Sequence, residues 1–178
     1  TPEELTPANG LPSRETYLTW HRSHGDSGGT RFSALDQINR QNVTNLQVAW
    51  TYHSRDGSNN IQCNPIIVNG TMFAPTAGKH IVAVDAENGT ELWCFKPQGR
   101  PAFRGLIWWP GDKGASERLM FCSGQFLYAL NPKSGQPIAE FGEQGKTRLP
   151  GVAQGDFGAA TAGPTIFVAV QEQLGLKL

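Results

Sequence analysis

The 178-residue sequence carries no excess of either charge: 15 lysines and arginines balance 15 aspartates and glutamates. Without a basic field, the attraction that draws a protein to a phosphate backbone is missing, so nucleic acid is not an expected partner. Nor is there an apolar run near the ~20 residues that a membrane-spanning helix needs. Cysteine is scarce. Cys63, Cys94 and Cys122 are odd in number and far apart, so at least one is unpaired within the chain. None forms a CxxC or stands beside a histidine at metal-ligand spacing, and they read as small hydrophobes in strands. His21 and His24 lie three apart in a Gly/Ser-rich loop without a third ligand, which reads as a loop and not a metal site. The glycine-rich loops at 25–29 and 151–158 contain no GK[ST], so neither forms a phosphate-cradling P-loop. No leader peptide is visible at Thr1, and a secreted chain whose leader had been removed would look the same.

What is present is turn chemistry and aromatic bulk. Glycine (21), proline (12) and five tryptophans, against only 17 % charged residues, suit a turn-rich β protein. The organising stretch is Ala83-Val84-Asp85-Ala86-Glu87-Asn88-Gly89-Thr90-Glu91-Leu92-Trp93, a strand, a tight turn and a second strand ending in an aromatic. It recurs 46 residues on, at Ala129-Leu130-Asn131-Pro132-Lys133-Ser134-Gly135-Gln136-Pro137-Ile138-Ala139. Self-similarity at that period marks stacked β-sheet blades.

Around these repeats the chain divides into an N-terminal arm and loop (1–45) and a partial β-propeller (46–178). Residues 36–46 allow one or two helical turns with Asp36 or Asn42 as N-cap. Gln47–His53 alternates and is rich in β-formers, so it is expected as a strand, and 55–60 as a polar loop. The first blade is expected over 64–95, with hairpins at Asn69-Gly70 and Glu87-Asn88-Gly89. The second is expected over 106–141, pairing across Ser123-Gly124-Gln125 and ending in an outer strand at Gln136–Phe141. A glycine-rich loop then leads to the start of a third blade at 164–170. Asn69-Gly70-Thr71 and Asn88-Gly89-Thr90 fit the glycosylation pattern but are explained as turns. Two blades and a strand leave open sheet edges, which implies a piece of a longer protein and a route to self-association.

Gly28-Gly29-Thr30-Arg31-Phe32-Ser33-Ala34-Leu35-Asp36-Gln37-Ile38-Asn39, with Asn42-Val43 and Leu46-Gln47-Val48-Ala49-Trp50, resembles the N-terminal signature of the quinoprotein dehydrogenases that use pyrroloquinoline quinone (PQQ). Arg104-Gly105-Leu106-Ile107-Trp108-Trp109-Pro110-Gly111-Asp112 and Gly142-Glu143-Gln144-Gly145 resemble further landmarks of that family, nearest its glucose-dehydrogenase-like branch. The resemblance runs from about Trp20 to about Phe167. It implies an all-β protein: about two blades of an eight-bladed propeller of four-stranded antiparallel sheets. It implies PQQ in a central funnel with calcium in the full-length protein, an alcohol or aldose substrate, a quinone or cytochrome acceptor, and a periplasmic or secreted location. It also implies that Gln47–His53 is the outer strand of the last blade, closing the ring, with the rest of that blade absent from this chain. It further implies that Trp93 docks on the neighbouring blade, whereas Ala139 stands at the equivalent place in the second repeat, with Phe141 two residues on.

PQQ carries three carboxylates and an ortho-quinone, so its site needs hydrogen-bond donors and cations, and the cofactor itself performs the redox step. The resemblance makes Arg104 the leading cofactor-binding residue, since a guanidinium offers a planar fork suited to a carboxylate. Gln62 stands where the family often has a glutamate, and Thr161 matches a hydroxyl ahead of the third blade. No residue here matches the family's catalytic aspartate or metal ligands, which come later in the chain, and Asp156 matches no catalytic motif. The fragment alone is therefore expected to be inactive. An alternative reading remains: blades with this repeat also serve as protein-binding scaffolds without a cofactor.

Overall fold

The computed structural model describes residues 20, 31, 35, 37–58, 60–112 and 114–149. The N-terminal arm, His21, His24, Asp156, Thr161 and the expected strand at 164–170 lie outside the described residues.

Two four-stranded antiparallel sheets follow one another along the chain. The first holds β1 (Ile66–Val68), β2 (Thr71–Pro75), β3 (Ile81–Asp85) and β4 (Glu91–Phe95) in that order. The second holds β5 (Pro101–Trp109), β6 (Arg118–Ser123), β7 (Phe126–Leu130) and β8 (Lys146–Arg148). These are two propeller blades, each a meander of neighbouring strands.

Local chemistry explains the hairpins. Asn69 and Gly70 both take positive φ (50° and 75°) while Val68 pairs with Thr71, the two-residue turn that matches strand twist. At the turn after β3, Asp85 Oδ1 accepts the N–H of Glu87 (2.8 Å) and of Asn88 (3.3 Å), Gly89 N–H returns to Asp85 O, and Asp85 N–H donates to Thr90 O. Every one of these bonds recurs 46 residues later. Asn131 Oδ1 accepts from Lys133 (2.9 Å) and Ser134 (3.2 Å), Gly135 N–H returns to Asn131 O, and Asn131 N–H donates to Gln136 O. Asp and Asn serve equally, because either side-chain oxygen closes the turn over its own backbone.

The blades bury one another's inner faces. Ile66, Val68, Phe73, Ile81 and Ala83 of the first sheet meet Leu106, Leu119, Phe121, Tyr128 and Leu130 of the second. Phe121 and Tyr128 stack at 5.2 Å, and Phe95 of the first sheet meets both edge-on. A second cluster lies on the far face of the second sheet, where Ala102, Trp109, Met120, Cys122, Leu127, Ala129, Phe141 and Leu149 gather.

Tryptophans lock the assembly. Trp93 Nε1–H donates to Pro132 O (2.8 Å), and its ring lies on Gly135, where a Cβ would come within 2.6 Å of it. Trp50 repeats the arrangement one blade earlier: Nε1–H donates to Ala86 O (3.1 Å) and the ring lies on Gly89. Both glycines have positive φ, so conformation and contact each require them.

Several expectations are corrected. Gln47–His53 has no ladder among the described residues. It runs as a strap anchored by Trp50 and by Tyr52, whose Oη–H donates to Glu91, and the strands of the last blade that a closing strand would pair with are not among these residues. The helical turns at 36–46 reduce to one 3-10 turn at Val43–Asn45 preceded by Asn42. In the second blade the outer strand is not Gln136–Phe141. Ile138 N–H bonds Ala129 O, residues 139–145 then swing away, and β8 returns to pair with β7. Pro137 lacks the N–H a strand would use, and Gly142 and Gly145 (φ 55° and 86°) turn the chain back. Ala139 is exposed and docks nothing, while Phe141 turns into its own blade's far-face cluster. Of the cysteines only Cys122 is buried in a strand. Cys94 is exposed on β4, and Cys63 precedes β1.

Candidate functional site

Antiparallel order sets which residues share an end of the blades. β1, β3, β5 and β7 begin at one end, and β2, β4, β6 and β8 finish there. The connections at that end are tied together. Ser123 Oγ–H donates to Gln98 O (2.8 Å), Gln98 N–H donates to Tyr128 Oη (3.1 Å), and Gly124 N–H donates to Arg100 O (3.2 Å). Lys146 Nζ donates to Gln98 Oε1 (2.6 Å) while lying over the Phe126 ring (4.8 Å). The two blades thus present one continuous rim.

Gln62 lies on this rim, exposed, four residues before β1 begins. Arg104 belongs to β5, which starts earlier than Leu106, the first strand residue expected from the sequence. Its place there is irregular. Pro101 pairs with Ser123 and Leu106 with Phe121, so five steps on β5 match two on β6. The surplus residues, Arg104 among them, form a wide bulge near the rim. Bulges of this kind re-aim side chains and are common beside active sites. The side chain of Arg104 and the whole of Thr161 lie outside the described residues.

Charge sorts between the two ends. Lys79, Lys96, Arg100, Arg104 and Arg148 belong to elements or connections at the rim. Asp85, Glu87, Glu91, Asp112 and Glu117 belong to the opposite end. The sorting is partial, since Arg118 and Lys133 also belong to the opposite end and Asp56 to the rim, but cations outnumber carboxylates at the rim.

The rim also holds a cluster that the sequence did not reveal. Asp56, read as part of a polar loop, accepts from Thr76 Oγ1–H, from Gly78 N–H (3.0 Å) and from His80 Nδ1–H (2.7 Å). Burial by itself would raise the Asp56 carboxyl, but hydrogen bonds from Thr76, Ser54, His80 and Gly78 outweigh it and hold the group well below the usual carboxylate range. Thr76, Gly78 and His80 lie 20 to 24 residues from Asp56, beyond the reach of any local motif. The cysteines are chemically quiet. Burial pushes the Cys63 and Cys122 thiols up to about 12, away from the thiolate that metal binding or nucleophilic attack requires. No group of three metal-ligating side chains occurs among the described residues.

The model of the glucose/ethanol/alcohol dehydrogenase β-propeller domain, a PQQ family, matches residues 20–170. This chain belongs to that PQQ dehydrogenase family. The dehydrogenase subunit of alcohol dehydrogenase (quinone) from Gluconacetobacter polyoxogenes is 33% identical over 144 residues, covering 72% of this chain and 19% of that protein. Quinate/shikimate dehydrogenase (quinone) from Acinetobacter baylyi is 40% identical over 82 residues, covering 43% of the chain and 10% of that protein. The crystal structure of quinohemoprotein alcohol dehydrogenase from Comamonas testosteroni superimposes with a TM-score of 0.56 at 27% identity, over 72% of this chain and 19% of that one. The quinoprotein chain described here therefore spans about a fifth or less of the length of these relatives. In a PQQ family the rim is the natural place to look for cofactor contacts, because it combines the cations with the bulge that carries Arg104.

Proposed function

We propose that this chain is the N-terminal part of a PQQ-dependent dehydrogenase that oxidises an alcohol or aldose sugar and passes electrons to a quinone or cytochrome acceptor in the periplasm. The observation that carries the reading is the position of Arg104: in a family-matched run, on a bulge of β5, at the cationic end of the blades. The donor chemistry fits the cofactor. Arg104 contributes a guanidinium for a carboxylate, Gln62 an amide that donates and accepts, and Thr161 a hydroxyl. Neighbouring cations favour a ligand with three carboxylates. PQQ, when bound, supplies the two-electron acceptor. These residues would hold and orient it; Gln62 keeps the acceptor oxygen of the family's usual glutamate without its charge. Calcium and the base that takes the substrate proton belong, on this reading, to later parts of the complete protein, and residues 1–178 alone bind PQQ weakly and turn nothing over.

The test is a PQQ titration of the complete dehydrogenase followed by dye reduction with alcohols and aldoses in the presence of calcium. PQQ-dependent reduction that weakens with Arg104→Ala supports the reading. Full activity in a preparation freed of quinone overturns it.

A further inference from the structure

The strap that crosses the first blade is fastened at both ends, and the second fastening lies beside a proposed cofactor residue. At one end Trp50 sits on the turn after β3. At the other, Asp56 sits on the turn between β2 and β3. The six steps from Trp50 to Asp56 reach at most roughly 20 Å, enough to pass the five-residue strands beneath, with Arg55 (φ 53°) turning the chain into the fastening. The chain then has nine residues, 57–65, in which to pass from the fastening into β1, and Gln62 is among them.

The Asp56 fastening is built closely. A Cβ on Gly78 would run into the Asp56 backbone oxygen and carboxylate carbon, so the turn accepts Asp56 only because residue 78 is glycine. Thr76 Oγ1 donates to the carboxylate and accepts the N–H of His80 (3.1 Å), so the same hydroxyl closes the turn and holds the strap. His80 Nδ1–H points at Asp56, which fixes the imidazole tautomer. The Asp56 and His80 side chains are only 19% and 22% exposed, which shields these bonds from competition by water.

We infer that Asp56 is a positioning residue for the cofactor end of the protein: its carboxylate latches the strap to the β2–β3 turn and thereby sets the path of residues 60–65 and the placement of Gln62. The positioning role rests on the proposed PQQ function, whereas the latch itself does not.

Two measurements separate these parts. Amide hydrogen exchange of the chain without cofactor reads the latch. Asp56→Asn is expected to speed exchange in peptides covering 60–68 and 76–81 at least tenfold and to leave 119–130 unchanged. Equal protection at 60–68 in the two proteins overturns the inference. Should Asp56→Asn not fold, Thr76→Val removes one donor at nearly constant shape, and Thr76→Ser, which keeps the hydroxyl, is expected to restore protection; identical exchange in Thr76→Val and Thr76→Ser overturns the latch. Titration of the complete dehydrogenase with PQQ, followed by tryptophan fluorescence, reads the positioning. Asp56→Asn is expected to weaken PQQ about tenfold with Gln62 present and to add nothing in a Gln62→Ala background; equal weakening in both backgrounds contradicts action through Gln62. Absence of PQQ binding by the unaltered protein overturns the functional reading and the positioning role together, while the exchange result still decides the latch.

Discussion

The two blades share a turn and part company immediately after it. Asp85 and Asn131 close their turns with the same bonds, and Gly89 and Gly135 each receive an indole, from Trp50 on the strap and from Trp93 on β4. Beyond the turn, the first blade runs straight into β4 and places Trp93 on its neighbour. The second meets Pro137, makes one ladder contact, swings out over 139–145, and rebuilds its edge with Lys146–Arg148. The repeat is therefore shared at its turn and not at its outer edge. The turn is reproduced because its geometry admits few side chains, while the outer edge, where each residue has fewer neighbours, tolerates an insertion and the loss of a docking tryptophan.

The comparison makes unequal demands on the residues that define it. Trp93→Ala removes the lock between the blades, and a loss of about 3 kcal/mol is expected from the usual range for large aromatics with some allowance for partial exposure; equilibrium urea unfolding measures it. Ala139→Gly, at the equivalent place, is expected to stay within about 0.5 kcal/mol, as an exposed position outside regular strand should. Next comes Gly135→Ala against Gly70→Ala. Both have positive φ, but a Cβ at Gly135 meets Trp93 whereas one at Gly70 meets nothing within 4 Å. Gly70→Ala is expected to lose about 1 kcal/mol from backbone strain, and Gly135→Ala clearly more; equal losses would mean that the indole is not seated on the glycine. A smaller effect separates the blades by pH. Because hydrogen bonds depress the Asp56 carboxyl in the folded protein, its contribution is fully present above the unfolded value of about 4 and drains away as pH falls below that. Thermal unfolding from pH 6 to pH 3 should therefore show a steeper fall for the unaltered chain than for Asp56→Asn.

Much of the architecture was legible because it rests on short-range chemistry. Asn69-Gly70, the glycines after Asp85 and Asn131, and Trp93 each carry a local signal, and together they specify blades. The edge of the second blade was not legible. Gln136–Phe141 alternates acceptably, and only the competition between a proline that cannot donate and glycines that can reverse the chain decides against a strand. Gln47–His53 has the composition of a strand but no ladder among the described residues, because a strand also needs a neighbour and the closing strand expected here takes its neighbours from the last blade. Arg104 was singled out through its motif alone, and the bulge that distinguishes its backbone position depends on pairing with β6. Asp56 was missed entirely, since its partners come from a turn more than twenty residues away.

The central claim is that the rim of these blades, with Arg104 on its bulge, holds a carboxylate of PQQ. The most direct measurement is the dissociation constant of PQQ from the complete dehydrogenase and from its Arg104→Ala variant, by fluorescence quenching at neutral pH. Removing a charge-assisted hydrogen bond of about 1.5–3 kcal/mol predicts a constant raised roughly tenfold to a hundredfold, with unfolding by urea little changed. An unaltered constant in a folded variant would contradict the account.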